Sequence, residues 1–86
     1  MSSASSKTSD ITPGPGGVMT SEVGVITGDL TLRTSLSDRG EATVQVQYKG
    51  ADEWYTVQGA KAHLASPEDL EAVHTIAVAL LNRPNG

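Results

Sequence analysis

The clearest pattern in the sequence is an alternation of apolar and polar residues over positions 41–49. Every second position is apolar, namely Ala42, Val44, Val46 and Tyr48, and the positions that alternate with them are Thr43, Gln45, Gln47 and Lys49. Successive side chains of a β-strand point to opposite faces of the sheet, so this alternation indicates a strand with one buried face. We therefore predict a strand here whose aliphatic side chains lie in the core.

Shorter apolar runs precede this strand and are separated by turn residues. Residues 23–27 are followed by Gly28 and Asp29, and residues 30–36 are followed by a loop at 37–41. Glycine in the first position of a two-residue loop is typical of a type II′ hairpin turn, and Gly40 fits a type I turn closed by a glycine bulge. The predicted pairs are Val25 with Leu32, Val23 with Thr34, Leu36 with Ala42, and Leu32 with Val46.

A loop at residues 50–53 predicts a fourth strand at 54–58. The register that keeps apolar side chains on one face pairs Tyr48 with Tyr55 and Val46 with Val57. The pattern leaves open whether the first hairpin joins the rest of the sheet. The prediction is therefore an antiparallel β-meander of three to four strands.

One amphipathic helix is predicted after residue 66. Ser66 can cap the free amides of the first turn, Pro67 fits the first helical position, and the acidic residues that follow oppose the helix dipole. Asn82, Arg83 and Pro84 supply the stop. The predicted core stripe consists of Leu70, Val73, Ile76, Ala77, Leu80 and Leu81. Strands followed by one helix that covers a sheet face predict an α+β fold.

The first 21 residues lack the aliphatic side chains that a core needs. They are rich in serine, threonine, glycine and proline, and their larger apolar residues are Ile11, Val18 and Met19. Such a segment buries too little surface to offset the entropy that is lost on ordering. We predict a disordered tail over residues 1–21, either a loose terminus or a tethered recognition peptide, and one folded domain over 22–86.

Composition narrows the classes of function. The 86 residues suffice for one domain, and the absence of cysteine removes disulfides and thiolate ligands and favours a cytoplasmic location. The apolar runs are too short to cross a bilayer, so we expect no membrane association. A formal net charge of −4 with dispersed basic residues disfavours binding to a nucleic-acid backbone.

No residue pattern points to catalysis, to a metal or to a cofactor. His63 and His74 have no metal-binding spacing, and His74 is expected at the border of the helix stripe with one nitrogen satisfied. The helix dipole explains the acidic residues in the first turn. We expect no catalytic residue and no cofactor. A small enzyme with an inter-subunit site built from His63, His74, Asp69 and Glu71 is one alternative.

Two surfaces are candidates for interaction. The polar face of the sheet carries Arg33, Gln45, Gln47, Lys49 and Trp54, which is the only tryptophan of the chain. Aromatic side chains with a polar group are enriched at recognition sites. The helix carries small residues opposite its core stripe, namely Ala72, Thr75 and Ala79, and small residues allow another helix to approach closely.

The sequence therefore favours a small non-catalytic protein-interaction or regulatory module. Self-association, with a dimer favoured, would add the burial that a domain of this size lacks. A weak binder of single-stranded nucleic acid through Arg33, Lys49 and Trp54 is the alternative of another class, because aromatic stacking beside basic groups supports such binding.

Overall fold

Six antiparallel strands and one helix make up the computed structural model, which describes residues 5–84. The elements in chain order are β1 (Ser5–Ile11), β2 (Val18–Thr20), β3 (Gly24–Ile26), β4 (Leu30–Leu36), β5 (Glu41–Tyr48), β6 (Tyr55–His63), a 3-10 turn (Pro67–Asp69) and α1 (Leu70–Leu81). Their order across the sheet is β1-β4-β5-β6-β2-β3. The α+β class is confirmed, and six strands correct the prediction of three to four.

The hairpin of β4 and β5 is the part that the sequence predicts best. Leu36 lies opposite Ala42 and Leu32 lies opposite Val46, as predicted. Gly40 has a φ of +84°, and its amide donates a 3.0 Å hydrogen bond to the carbonyl of Ser37. Glycine adopts this left-handed conformation without steric cost, so the turn sets the register of the hairpin.

Strand β1 lies inside the segment that the sequence predicts to be disordered. Each residue from Ser5 to Ile11 pairs with β4, and the Ile11 side chain is buried. Strand β2 follows in the same segment and buries Val18. An edge strand can satisfy its backbone against one neighbour while most of its side chains stay polar. The structure therefore differs from the predicted tail over β1 and β2, and residues 1–4 of that tail lie outside the described residues.

The predicted first hairpin does not form. Strand β3 pairs with β2, with Val25 opposite Met19, so the predicted pairs of Val25 with Leu32 and Val23 with Thr34 are absent. The two neighbours of β4 are β1 and β5, which pair with it along its whole length. Both edges of β4 are therefore occupied, and residues 27–29 lead from β3 across to it.

Strand β6 pairs with β5 in a different register from the predicted one. Tyr55 lies opposite Val46, and the predicted pairs of Tyr48 with Tyr55 and of Val46 with Val57 are not formed. Thr56 pairs with Gln45 and Lys61 pairs with Thr43. Between these two pairs β6 has four residues, 57–60, whereas β5 has one. Val57 pairs with Thr20 of β2, and the strand continues to His63, beyond the end predicted at residue 58.

Helix α1 lies across one face of the sheet, as predicted. Ser66 accepts a 3.3 Å hydrogen bond from the amide of Glu68, which is the predicted cap. At the other end, the amide of Arg83 donates a 2.8 Å bond to the carbonyl of Thr12. The main core under the helix consists of Ile11, Val18, Ile26, Leu30, Leu32, Val44 and Val46.

Candidate interaction surface

Helix α1 covers only part of the apolar sheet face. Its main packing partners are β1 and β4. A helix with its side chains is about 10 Å wide and neighbouring strands are about 4.8 Å apart, so one helix covers roughly two strands. On this face Val44 and Val46 of β5 are buried, whereas Val57 and Ala60 of β6 are half-buried, so the part that remains open beside the helix lies over β6.

An apolar groove follows the open side of α1. It has a volume of about 350 Å³, and no charged side chain lines it. The sheet contributes Val44, Val57 and Ala60, and the helix contributes Val73, Ile76, Ala77, Leu80 and Leu81. The groove thus lies between the sheet and the helix, and the fold leaves it unfilled.

Two large side chains of α1 project from the rim of this groove. Ile76 is 59% exposed and Leu80 is 64% exposed. The prediction that both belong to the core stripe is wrong, because the sheet contact is narrower than the apolar arc of the helix. The two buried residues of α1 are Leu70, which belongs to the predicted stripe, and His74, which does not.

The two alanines predicted as an interaction surface lie on the exposed side of α1. Ala72 and Ala79 are both exposed, and in helical projection they continue the apolar arc beyond Ile76 and Leu80. Sequence reasoning missed Ile76 and Leu80 as surface residues. The available signal was an apolar arc that extends around well over half of the helix, which is wider than one buried side requires.

His74 occupies a buried position where the sequence predicts a boundary residue. Its side chain is 8% exposed, and both ring nitrogens have partners. Nε2 lies 2.7 Å from the hydroxyl of Ser9, and Nδ1 lies 2.9 Å from the hydroxyl of Thr34. Burial, and secondarily the positive charge of Lys7, lowers the pKa of His74. The imidazole is thus favoured in its neutral form.

The contact between Ser9 and His74 brings together a hydroxyl and a base, but it lacks other parts of a catalytic site. The second nitrogen meets the hydroxyl of Thr34 rather than a carboxylate that would stabilise an imidazolium. The apolar groove and the cavity beside His63 are lined by other residues. The cluster therefore fits a polar contact that joins the helix to the sheet.

His63 lies in different surroundings from His74. It is exposed at the end of β6 and lines a cavity of about 300 Å³ together with Arg39, Leu64 and Pro67. Glu71 lines a separate cavity beside Lys7 and Glu68. His74 does not line the cavity that His63 lines. Among residues 5–84, no group of three or more histidine, aspartate or glutamate side chains could hold a metal ion.

The polar sheet face carries a stacked pair. The guanidinium carbon of Arg33 lies 4.0 Å from the centroid of the Trp54 ring, and Nη2 donates a 2.7 Å hydrogen bond to Oε1 of Gln45. Lys49 lies 3.4 Å from a carboxylate oxygen of Asp10. Gln47 is half-buried on the same face. Both cations of this surface thus have partners within the chain, which does not favour a phosphate site.

The described residues contain no helix of the length and apolarity that crossing a membrane requires. Comparison of the chain with family models, with curated proteins and with solved structures found no match in any of the three.

Proposed function

We propose that this chain is a small non-catalytic interaction module that self-associates through the apolar groove and its rim on α1, which is formed by Ile76 and Leu80. The observation that carries the proposal is the exposure of Ile76 and Leu80 beside an uncharged groove. Contiguous apolar surface of this kind marks interaction sites on folded proteins.

The size of the apolar surface supports a reversible association. Complete burial of one isoleucine or leucine side chain contributes about 1.5–3 kcal/mol, and two copies would bring four such side chains that are already partly buried. Association itself costs an estimated 4–15 kcal/mol in lost freedom of motion. The balance favours a dimer whose population changes with protein concentration.

The test is light scattering coupled to size exclusion, over chain concentrations from about 1 μM to about 1 mM, a range that covers weak dimers. We expect the mass to rise towards that of a dimer. Leu80→Lys places a charge on the groove rim and should shift the chain to the monomer. Leu80 is largely exposed, so this change leaves the core of the monomer intact.

Thr75→Lys is the matched control. It adds the same charge to an exposed position of the same helix, away from the groove lining. The proposal requires this variant to dimerise like the wild type. A monomer at every concentration of the wild type, or a dimer that survives Leu80→Lys, would refute the proposal.

A further inference from the structure

We infer that the outer edge of β1 pairs with β1 of a second copy, in an antiparallel register centred on Thr8. This contact lies at the β1 edge of the sheet, whereas the groove lies over β6, so the inference goes beyond the proposed function. Three features of the described residues support it: the open backbone groups of the edge, the occupied backbone groups of Thr12, and the side chains that each register brings together.

Strand β1 has one paired edge and one open edge. Among residues 5–84, its neighbour in the sheet is β4 alone. An antiparallel strand exchanges hydrogen bonds with a given neighbour at alternate residues. The amide of Lys49 donates a 3.1 Å bond to the carbonyl of Asp29, so the odd-numbered residues of β4 bond to β5 and its even-numbered residues bond to β1. The register of β1 with β4 therefore directs the backbone groups of Ser6, Thr8 and Asp10 outward.

The open stretch of this edge ends at Thr12. The amide of Thr12 donates a 2.8 Å hydrogen bond to Oδ1 of Asn82, and its carbonyl accepts a 2.8 Å bond from the amide of Arg83. The residues that follow α1 therefore occupy the next outward-facing position. An added strand can bond to the three outward positions of β1 but not to Thr12.

A second copy of β1 matches these three positions when Thr8 lies on the two-fold axis. Thr8 then faces Thr8 of the second copy and Ser6 faces Asp10, in pairs that exchange about six backbone hydrogen bonds. Hydroxyl side chains form further hydrogen bonds across such pairs, and Lys7 lies opposite Ser9, so like charges do not face each other directly. A two-fold dimer requires a self-complementary patch of this kind, because the same residues meet on both copies.

The two neighbouring registers are less favourable. With Lys7 on the axis, the Lys7 side chains of both copies lie directly opposite each other, and like charges in this position destabilise a sheet. With Ser9 on the axis, Ser6 faces Thr12 of the second copy, whose backbone groups are already bonded to the residues after α1. The register centred on Thr8 avoids both conflicts.

The helices leave room for this pairing. Helix α1 lies over β1 and β4, and His74 contacts both strands through Ser9 and Thr34. The two-fold axis is perpendicular to the shared sheet, so the α1 helices of both copies lie on the same face. Their axes are separated by two strand spacings, about 9.6 Å. Packed helices have axes about 8–10 Å apart, so the two helices touch without overlapping.

Disulfide trapping in the Leu80→Lys chain tests the pairing without the groove contact. The chain has no cysteine, so an introduced thiol reports one position without background. Facing residues of a hydrogen-bonded pair have Cα atoms about 5.5 Å apart, inside the disulfide range of about 4.4–6.8 Å. We expect Thr8→Cys to form a covalent dimer at least about tenfold faster than Ser21→Cys, because pairing raises the effective concentration of the facing thiol. Ser21, which is exposed in the turn between β2 and β3, is the matched control position.

Two further thiols test the register. Ser6→Cys and Asp10→Cys should each remain monomeric alone on a non-reducing gel and should cross-link when they are mixed. Preferential self-cross-linking of Lys7→Cys over Thr8→Cys would overturn the register centred on Thr8. Circular dichroism of each variant verifies that it is folded.

The possible results separate this inference from the proposed function. If Leu80→Lys abolishes the dimer seen by light scattering and Thr8→Cys is still trapped, both are supported, since oxidation captures a pair too weak for light scattering. If Leu80→Lys abolishes the dimer and Thr8→Cys cross-links no faster than Ser21→Cys, the groove mediates association and the β1 pairing is overturned. If Leu80→Lys still dimerises and Thr8→Cys traps that dimer, the β1 pairing is supported and the proposed function is refuted.

Discussion

Thr34 Oγ1 and His74 Nδ1 lie 2.9 Å apart in the core, although the two residues are 40 positions apart in the sequence. The other nitrogen of the same ring meets Ser9. A single imidazole thus connects α1 to both of the strands that it covers. Changes to this ring or to its partners are expected to affect the attachment of the whole helix.

Stability should depend on the protonation of His74. Its pKa is lowered from 6.5 by burial and by the charge of Lys7, so the folded state binds the proton more weakly than the unfolded state. The contribution of neutral His74 to the free energy of unfolding is fully present above about pH 6.5 and decreases as the pH drops below that value. We expect a lower urea midpoint at about pH 5 than at about pH 7.5. The difference should shrink in His74→Gln, and an unchanged difference there would contradict this assignment.

Thr34→Val removes a buried hydroxyl while keeping the shape of the side chain. Thr34 is completely buried, so the variant leaves a ring nitrogen of His74 without its partner. We expect a loss of about 1–3 kcal/mol in the free energy of unfolding, measured by urea titration. Thr43→Val makes the same change at a half-buried position of the polar face and should stay within about 0.5 kcal/mol of the wild type. Similar effects of both substitutions would argue against a special role for the Thr34 hydroxyl.

Ile11→Ala tests whether the N-terminal strand belongs to the fold. Ile11 is 2% exposed and lies opposite Leu30, so its truncation should cost about 2–5 kcal/mol in the free energy of unfolding. Val25, in β3, is 51% exposed, and Val25→Ala serves as the control with a much smaller expected effect. If the N-terminal segment were disordered, Ile11→Ala would change the free energy of unfolding as little as Val25→Ala does.

Gly17→Ala should destabilise the connection into β2. Gly17 has a φ of +67°, and an added methyl group would press on Val25, Ile26 and Thr27. Backbone strain and crowding together should cost roughly 1–3 kcal/mol, measured by thermal or urea unfolding. Gly16→Ala adds the same methyl group where no atom lies within 4 Å. Equal stabilities of the two variants would be incompatible with the described loop.

The parts of the fold that the sequence predicts correctly are those with short-range causes. The loop with Gly40 determines how Leu36 meets Ala42, and Ser66 with Pro67 marks the start of the helical segment. Each of these signals acts over a few residues. The central hairpin and the helix can therefore be predicted from local sequence without knowledge of the rest of the sheet.

The parts that the sequence misses depend on distant partners. Strand β1 is mainly polar, and its order comes from backbone pairing with β4 and from the contact of Ser9 with His74, 65 positions away. The exposed position of Ile76 follows from how much of the sheet one helix can cover. Neither effect can be predicted from residue spacing, because both depend on which strands become neighbours.

The position of α1 in the chain has a consequence for how the protein acquires its structure. The helix follows all six strands, and Arg83 closes the loop back to Thr12 by a backbone hydrogen bond. During synthesis the aliphatic face of the sheet stays uncovered until α1 has been made. Non-local closure of this kind slows folding, and surface exposed in the meantime promotes aggregation. Nascent chains that stop before Leu70 should therefore be the form that most needs a chaperone.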